Sequence, residues 1–383
     1  MHDAVVVGAG PAGLYAALCL VREGLDVVVL EEHAEIGAPT HCTGLMSAES
    51  IELYKFPDDV VLNRPTVCLV ASPRGSVAAL RSGPEEIVVV DRAGFDRALA
   101  ANAREAGATI VTGSRVDRID VQPSFVEVTG TEGVRRARVV VLAAGVTYRF
   151  HRPLGLGTPS VVHTAQIEVG AQPADALEIH LGRSVAPEGF VWLVPVKRGA
   201  HDALKAGILL RGDARAHLLR FLARDDVAAR LATTPKEPIR RLLPVAPAGR
   251  TFGHRLVAVG DAAGLTKPVT GGGIFYSLLS AALAAETLIE AFAAGEPDAG
   301  RLSRYESRWR ARLAGEIRTG EWFRHLLTRL SDDELDTFVQ ACASDDVQAV
   351  ISQTARFNWH RSLILALLRQ RGIKSTLLRS LLR

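Results

Sequence analysis

Cysteine is scarce and scattered in this chain of 383 residues: Cys19, Cys42, Cys68 and Cys342 form no CxxC pair and no metal-ligand spacing. The spacing offers neither a disulfide framework nor a zinc site, and it cannot assemble an iron–sulfur cluster. We therefore expect reduced thiols and no metal. Aromatic residues are only 5% of the chain and are not interleaved with the basic ones, which argues against nucleic-acid binding. No apolar run stands out as approaching the eighteen or so residues of a membrane-spanning helix. Met1-His2-Asp3 leads straight into a strand, leaving no room for a cleaved signal peptide. These absences predict a cytoplasmic protein, or one peripheral to a membrane. Internal repeats and low-complexity segments are also lacking.

The composition itself, 48% hydrophobic and 23% charged, is that of a globular protein. Its length allows two domains and a helical appendage. The net charge of +3 is unevenly spread. No acid follows Asp346, whereas Arg356, Arg361, Arg369, Arg371, Lys374, Arg379 and Arg383 all do. Leu377, Leu378, Leu381 and Leu382 share a helical face opposite Arg379 and Arg383, and Leu363 to Leu368 form a second apolar segment. Such a basic amphipathic tail either lies on an anionic membrane or packs its leucines on the body.

Two glycine-rich turns carry the chemistry. In the first, an apolar strand at Ala4 to Val7 runs into Gly8, Gly10 and Gly13 and then a helix from Pro11 to about Glu23. Gly8 permits the tight turn, Gly10 lets the backbone approach a pyrophosphate, and Gly13 allows the helix to sit close to the strand. The diphosphate would rest on free amides at the positive end of the helix dipole. The next strand, Leu25 to Leu30, ends in Glu31, placed to accept hydrogen bonds from ribose hydroxyls.

That first loop alone does not choose between NAD and FAD. The second turn does. A strand at Arg255 to Val259 ends in Gly260-Asp261, at the carboxyl edge where open α/β sheets bind ligands. An acid there can bind a polyol such as the ribityl chain of FAD. Gly271, Gly272 and Gly273 then open an apolar helix, Ile274 to Phe292, whose first turn can offer amides to the electron-rich edge of a reduced isoalloxazine.

Between the turns the pattern alternates. Asn63 to Val90 is broken by Pro65, Pro73, Gly75, Gly83 and Pro84, which predicts antiparallel hairpins. A helix at Phe95 to Ala106 follows, then strands at Thr109 to Thr112, Phe125 to Thr129 and Arg138 to Ala143. Strands at Val161 to Val169, Ala176 to Leu181, Phe190 to Val196 and Leu204 to Leu210 should form one antiparallel sheet, followed by a helix from Ala214 to Leu231. The fold class expected is α/β: a discontinuous Rossmann-type FAD-binding domain (1–62, 91–150 and 240–297), an inserted antiparallel-sheet substrate domain (63–90 and 151–239) and a C-terminal helical region (298–383).

Taken together, VVVGAGPAG, Glu31, HCTG, VVVDRAGFDRAL and VGDAAGLTKPVTGGGI resemble the geranylgeranyl reductase family of FAD-dependent oxidoreductases over roughly Met1 to Leu288. The resemblance implies a fold like that of p-hydroxybenzoate hydroxylase and a hydrophobic isoprenoid substrate whose C=C bonds are reduced by hydride from reduced flavin. It implies that Ala12 and Glu31 touch the adenosine half of FAD, with Val116 flanking the adenine. Cys42 and Gly44 would lie near the flavin, Arg92 would reach FAD, Asp261 would hold the ribityl chain, and Gly273 and Ile274 would face the ring. Arg92 has a rival reading as a helix-start residue paired with Asp96.

The segment GFVWLVP, Gly189 to Pro195, is similar to the family's aromatic strand YxWxFP. Strand periodicity puts Phe190, Trp192 and Val194 on one face, an apolar wall suited to a long hydrocarbon. Downstream, Lys205-Ala206-Gly207 stands where the family pattern has GxG. An isolated double bond is a poor hydride acceptor, so a positioned acid should deliver the proton; Cys42 and His41 are the candidates.

The electron supply is less defined. The segment AAGVTYRFHRPLG carries Ala144 where hydroxylases place an acid, and no second GxGxxG unit is present. The donor is NAD(P)H docking transiently, a ferredoxin-like partner or a quinol. GFVWLVP is also similar to a halogenase motif, but no lysine lies between Lys55 and Lys197, where a halogenase needs one. An aromatic-hydroxylase-type monooxygenase and an electron-transfer flavoprotein to a membrane quinone stay as alternatives.

Overall fold

The computed structural model describes residues 1–81 and 87–381, and the side chains of residues 1–81 and 87–377. Gly83 and Pro84 of the expected hairpins and Leu382 and Arg383 of the tail therefore lie outside the described residues, as do the side chains of Leu378, Arg379 and Leu381. The chain divides into two compact units, one made of residues 1–40, 92–161 and 244–317, the other of residues 41–91, 162–243 and 318–383.

The first unit is built on an eight-stranded sheet. Its parallel strands lie in the order Leu256–Ala258, Gly133–Leu142, His2–Val7, Val27–Leu30 and Thr109–Val111, with Phe252–Gly253 antiparallel at one edge. A hairpin of Val116–Val121 and Val126–Gly130 joins onto Gly133–Leu142. The central strands read as unbroken aliphatic runs because both faces are covered. Ala4, Val5 and Val6 and their neighbours Val140, Val141 and Val29 are all fully buried. Helix Pro11–Arg22 packs against helix Ile274–Ala293. The latter corrects the reading of the apolar runs: its 20 residues are long and apolar enough to cross a membrane, but two-thirds of them are buried in this unit.

The long helix Ala299–Arg329 contributes its residues up to Ile317 here. Tyr305 donates to the carbonyl of Ala258 at 2.8 Å, and Trp309 donates through Nε1 to Thr251 Oγ1 at 2.8 Å. The region after Asp298 is thus not a separate body. Its residues 299–317 belong with the nucleotide-binding sheet and its remainder with the second unit.

The second unit holds a seven-stranded sheet in the order Ile239–Pro244, Val161–Gly170, His201–Leu210, Phe190–Arg198, Leu177–Leu181, Val67–Ala71 and Val77–Arg81. The four strands expected between Val161 and Leu210 are present within a few residues. Parallel pairing of Leu177–Leu181 with Val67–Ala71 extends the sheet in a way no local pattern announced. A three-stranded sheet of Leu45–Ser47, Val61–Asn63 and Ile87–Val90 places residues 41–62 in this unit rather than in the nucleotide-binding one.

One face of the large sheet is sealed by helices Ala214–Leu222 and Asp225–Ala228, which bury Val191, Leu193, Ala206 and Ile208. The single helix expected there breaks because Arg224 is extended (φ −65°, ψ 139°) and Asp225-Asp226 begin a new turn. In the tail, Ile373 and Leu377 are buried, and helix Arg371–Leu381 packs on helix Asp332–Cys342.

Candidate active site

Each glycine of the first turn meets its expected constraint. Gly8 has φ +105°, and a Cβ on it would lie 2.4 Å from the carbonyl oxygen of Ala143. A Cβ on Gly13 would stand 2.0 Å from the carbonyl oxygen of Gly8 and 3.1 Å from Val6, so the helix can approach the strand only through glycine. Gly10 faces open space, with no heavy atom within 4 Å of its Cβ position. It also caps helix Pro11–Arg22 without any side-chain hydrogen bond or acid in the first turn. A helix start left open beside a bare glycine is the seat a diphosphate requires.

Glu31 reaches back to this loop. Its Oε2 accepts from the Ala9 amide at 2.8 Å, and Oε1 accepts from the His33 amide at 3.0 Å. A carboxylate offers about four lone-pair positions, so acceptor capacity is left for a ribose. Ser114 N–H donates to the Glu31 carbonyl at 2.8 Å, which brings Val116, two residues on, to the same edge of the sheet.

The second turn is seated on the first. Gly260 (φ +60°) would, with a Cβ, lie 2.8 Å from the Cβ of Ala12, the second residue of the loop helix. Asp261 follows, and its Oδ1 is 3.1 Å from the Cβ position of Gly273, which caps helix Ile274–Ala293 with no side-chain hydrogen bond. Burial pushes the Asp261 carboxyl up to about 6, and the Arg92 guanidinium pulls the other way. Arg92 makes the rival contact as well, an ion pair to Asp96 at 3.1 Å. Its charge therefore serves both carboxylates.

Two residues that motif reading passed over brace this turn. His151, fully buried, has Nε2 2.6 Å from the carbonyl oxygen of Ala262, and its Nδ1 has no partner among the described residues. Burial lowers its pKa, so the ring is neutral and its Nε2–H donates. Tyr148 donates to the carbonyl of Asp261 at 3.2 Å and meets the His151 ring edge-on at 4.9 Å. Burial and the Asp261 charge raise the Tyr148 phenol well above its usual range. Both side chains hold the backbone on either side of the Asp261 peptide.

The remaining predicted residues belong to the second unit. Cys42 is half-buried, and the Gly44 amide donates to its sulfur at 3.4 Å. Gly44 is tied to Val90 by a 2.8 Å bond and has φ +82°. Thr43 is held twice, by its hydroxyl to Gln166 Oε1 at 2.6 Å and by Lys205 Nζ to its carbonyl at 2.9 Å. Lys205, only 2% exposed, thus anchors the loop that carries His41 and Cys42, and burial lowers its pKa. A charge inside the apolar run ALKAGILL is the signal that could have marked it.

Phe190 and Trp192 share a face, with ring centroids 5.8 Å apart, and Val194 lies buried on the same side. Residues paired directly across strands point the same way. The row through Trp192 therefore reads Ala78, Val70, Ile179, Trp192, Gly207 and Gln166. Val70, Ile179 and Trp192 are all only half-buried, so this unit presents a continuous apolar wall.

Comparison with known proteins agrees with this geometry. Residues 6–51 match a NAD(P)-binding Rossmann-like domain, and residues 57–248 match the FAD dependent oxidoreductase family. A digeranylgeranylglycerophospholipid reductase of Methanothrix thermoacetophila is 32% identical over 371 residues, covering 90% of this chain and 92% of its own. Among solved structures, a geranylgeranyl bacteriochlorophyll reductase-like protein of Thermoplasma acidophilum superposes with a TM-score of 0.87 at 22% identity, covering 99% of each chain. A p-nitrophenol 4-monooxygenase of Pseudomonas putida shares the fold at TM-score 0.73 and 18% identity, covering 92% of this chain and 97% of its own. The glycine cradle, the open helix starts and the buried acid on the Ala12 turn all fit FAD, and with these similarities the chain belongs to the geranylgeranyl reductase family of FAD-dependent oxidoreductases.

Proposed function

We propose that this protein reduces C=C bonds in the isoprenoid chains of a lipid. The observation that carries the reading is the wall of Val70, Ile179, Phe190 and Trp192, which offers a long hydrocarbon an apolar surface without a charged side chain in its central row. The name of the Methanothrix relative, a digeranylgeranylglycerophospholipid reductase, supports the same substrate class.

Bound FAD supplies the hydride chemistry. Gly8, Gly10 and Gly13 would hold its diphosphate, Ala12, Glu31 and Val116 its adenosine end, and Asp261 its ribityl hydroxyls, with Arg92 balancing the Asp261 charge. Gly273 and Ile274 start the helix that faces the ring. Cys42 and His41, on the loop pinned by Lys205 and Gln166, are the candidates for proton delivery. The electron donor is NAD(P)H in transient contact or a ferredoxin-like partner.

Exposed Arg361, Arg369, Arg371 and Lys374, with Leu365 beside them, support a membrane-peripheral placement through attraction to anionic lipid.

The test is anaerobic single turnover. The photoreduced protein, mixed with a geranylgeranylated glycerophospholipid in detergent, should reoxidise and yield a product heavier by two hydrogens per bond reduced. Product that forms only with oxygen and carries an added oxygen atom would replace this reading with that of a monooxygenase.

A further inference from the structure

Lys205 projects from the same face of the seven-stranded sheet as the apolar wall, since it pairs directly with Val194 on one side and Glu168 on the other. Only 2% of it reaches solvent. An ammonium group has three N–H donors, and two of them go to main-chain carbonyls, that of Thr43 at 2.9 Å and that of Val90 at 3.4 Å. Both carbonyls belong to the setting of Cys42. Thr43 follows Cys42 directly, and the Val90 carbonyl oxygen would stand 2.2 Å from a Cβ on Gly44. The Gly44 amide in turn donates to the Cys42 sulfur at 3.4 Å.

The charges around Lys205 are divided unevenly. Glu168 is held by Arg198 through two bonds of 2.7 and 3.0 Å, and Asp91 lies 3.4 Å from the same guanidinium. The Lys205 bonds go instead to uncharged oxygens. Burial lowers the Lys205 pKa, and the strongest opposing influence is a charge on the Cys42 sulfur, ahead of those on Glu168 and Asp91, while Arg198 adds to the lowering. The coupling is reciprocal: as far as a thiolate holds the proton on Lys205, the ammonium holds the negative charge on sulfur. In the Lys205-Ala206-Gly207 triplet this ammonium stands where the family pattern has glycine, a residue that could supply neither the bonds nor the charge.

We propose that Lys205 positions the Cys42 loop and serves as the countercharge for the Cys42 sulfur when that thiol protonates the substrate. In this step the S–H bond breaks, a C–H bond forms at the alkene carbon next to the one that receives hydride from reduced FAD, and the S–H electron pair stays on sulfur as a thiolate until solvent returns a proton. The role rests on the proposed reduction of isoprenoid C=C bonds with Cys42 as the proton source.

The first of two measurements on the full-length, FAD-loaded protein compares alkylation of Cys42 near neutral pH by anionic iodoacetate and neutral iodoacetamide, with the modified peptide quantified by mass spectrometry. Burial pushes Cys19 up to about 11 and Cys68 and Cys342 up to about 12, so these thiols compete little. A looser loop changes both rates alike, whereas a lost positive charge lowers the iodoacetate-to-iodoacetamide ratio. Lys205→Met and Lys205→Gln should lower that ratio about threefold or more, and Lys205→Arg should keep it. An unchanged ratio in the neutral variants overturns the proposal, as does an Arg variant that falls as far as the Met variant. Should the neutral variants fail to fold, the wild type decides, because its ratio must exceed that of N-acetylcysteine amide; a value at or below it overturns the proposal.

The second measurement is anaerobic single turnover with a geranylgeranylated glycerophospholipid. Lys205→Met should slow lipid reduction about tenfold or more when Cys42 is present and add little in a Cys42→Ala background, because it acts through the sulfur. Equal slowing in both backgrounds would make Lys205 merely structural and overturns the proposal, as does a Cys42→Ala variant as fast as wild type. A wild type that reduces no lipid overturns the reductase reading itself, a result distinct from an unmoved alkylation ratio.

Discussion

Trp192 and Gly207 are direct partners on neighbouring antiparallel strands, and the indole lies against the glycine so closely that a Cβ at 207 would stand 2.2 Å from Cζ2 and 2.3 Å from Cε2. The ring's Nε1 is buried with no hydrogen-bond partner among the described residues. The bare α-carbon of Gly207 therefore sets the orientation of the largest side chain on the apolar wall.

Gly207→Ala should force the indole off this position. Overpacking of this kind costs about 1–3 kcal/mol, to be read as a lower midpoint in urea denaturation. A shift in tryptophan emission should accompany it as Nε1 reaches water, and an unchanged spectrum would contradict the contact.

Removing the brace beneath the Asp261 turn should loosen the cofactor. His151→Leu deletes the bond to the Ala262 carbonyl and leaves a buried acceptor unpaired, a loss of about 1–3 kcal/mol. FAD affinity, measured by quenching of flavin fluorescence, should fall roughly tenfold or more, while Tyr148→Phe should have a smaller effect because its bond is longer.

Most of the nucleotide-binding half was legible in the chain, and the reason is local. Pro11 opens the loop helix, Gly13 answers to Gly8 and Val6 a few residues before it, and the strand at Ala4 to Val7 is apolar at every position; Gly8 is constrained from afar, by the carbonyl of Ala143. The Asp261 turn was legible for the same reason. His151 and Tyr148 were not, because what they bond to is backbone: the carbonyls of Ala262 and Asp261, more than a hundred residues away. Main-chain partners leave no trace in side-chain patterns. The domain boundary near residue 41 was missed because Leu45–Ser47 finds its partner in Ile87–Val90, a pairing of short strands with no turn between them to announce it.

Acidity should act on Asp261 with a definite sign. Its carboxyl titrates near 6 in the folded protein against a usual 3.8, so the native state binds the extra proton between these values and the apoprotein loses stability as pH rises through that window. Asp261→Asn should remove this slope. The variant apoprotein should be more stable than wild type by up to about 3 kcal/mol at pH 7 and equal to it below about pH 4, yet bind FAD several-fold more weakly. Denaturant titrations across that range, with and without FAD, check both halves.

The opposite sign is expected at Glu178. Burial raises this carboxyl, but hydrogen bonds from His180 and Arg230 outweigh it and bring the group down to about 2 from a usual 4.5. The stability it confers is complete above about pH 5 and disappears as pH falls towards 2. Glu178→Gln should therefore destabilise the protein at neutral pH by up to about 3 kcal/mol, with the gap to wild type closing on acidification.

The strand Leu256–Ala258 slots beside Gly133–Leu142, although more than a hundred residues separate them. While the polypeptide is being translated, Gly13 leaves the ribosome long before Gly260 is made. At roughly 5–20 residues per second the interval is on the order of ten seconds or more. Throughout it the nascent chain carries half a cradle that free FAD cannot close, so prematurely terminated products should emerge colourless and be open to proteolysis.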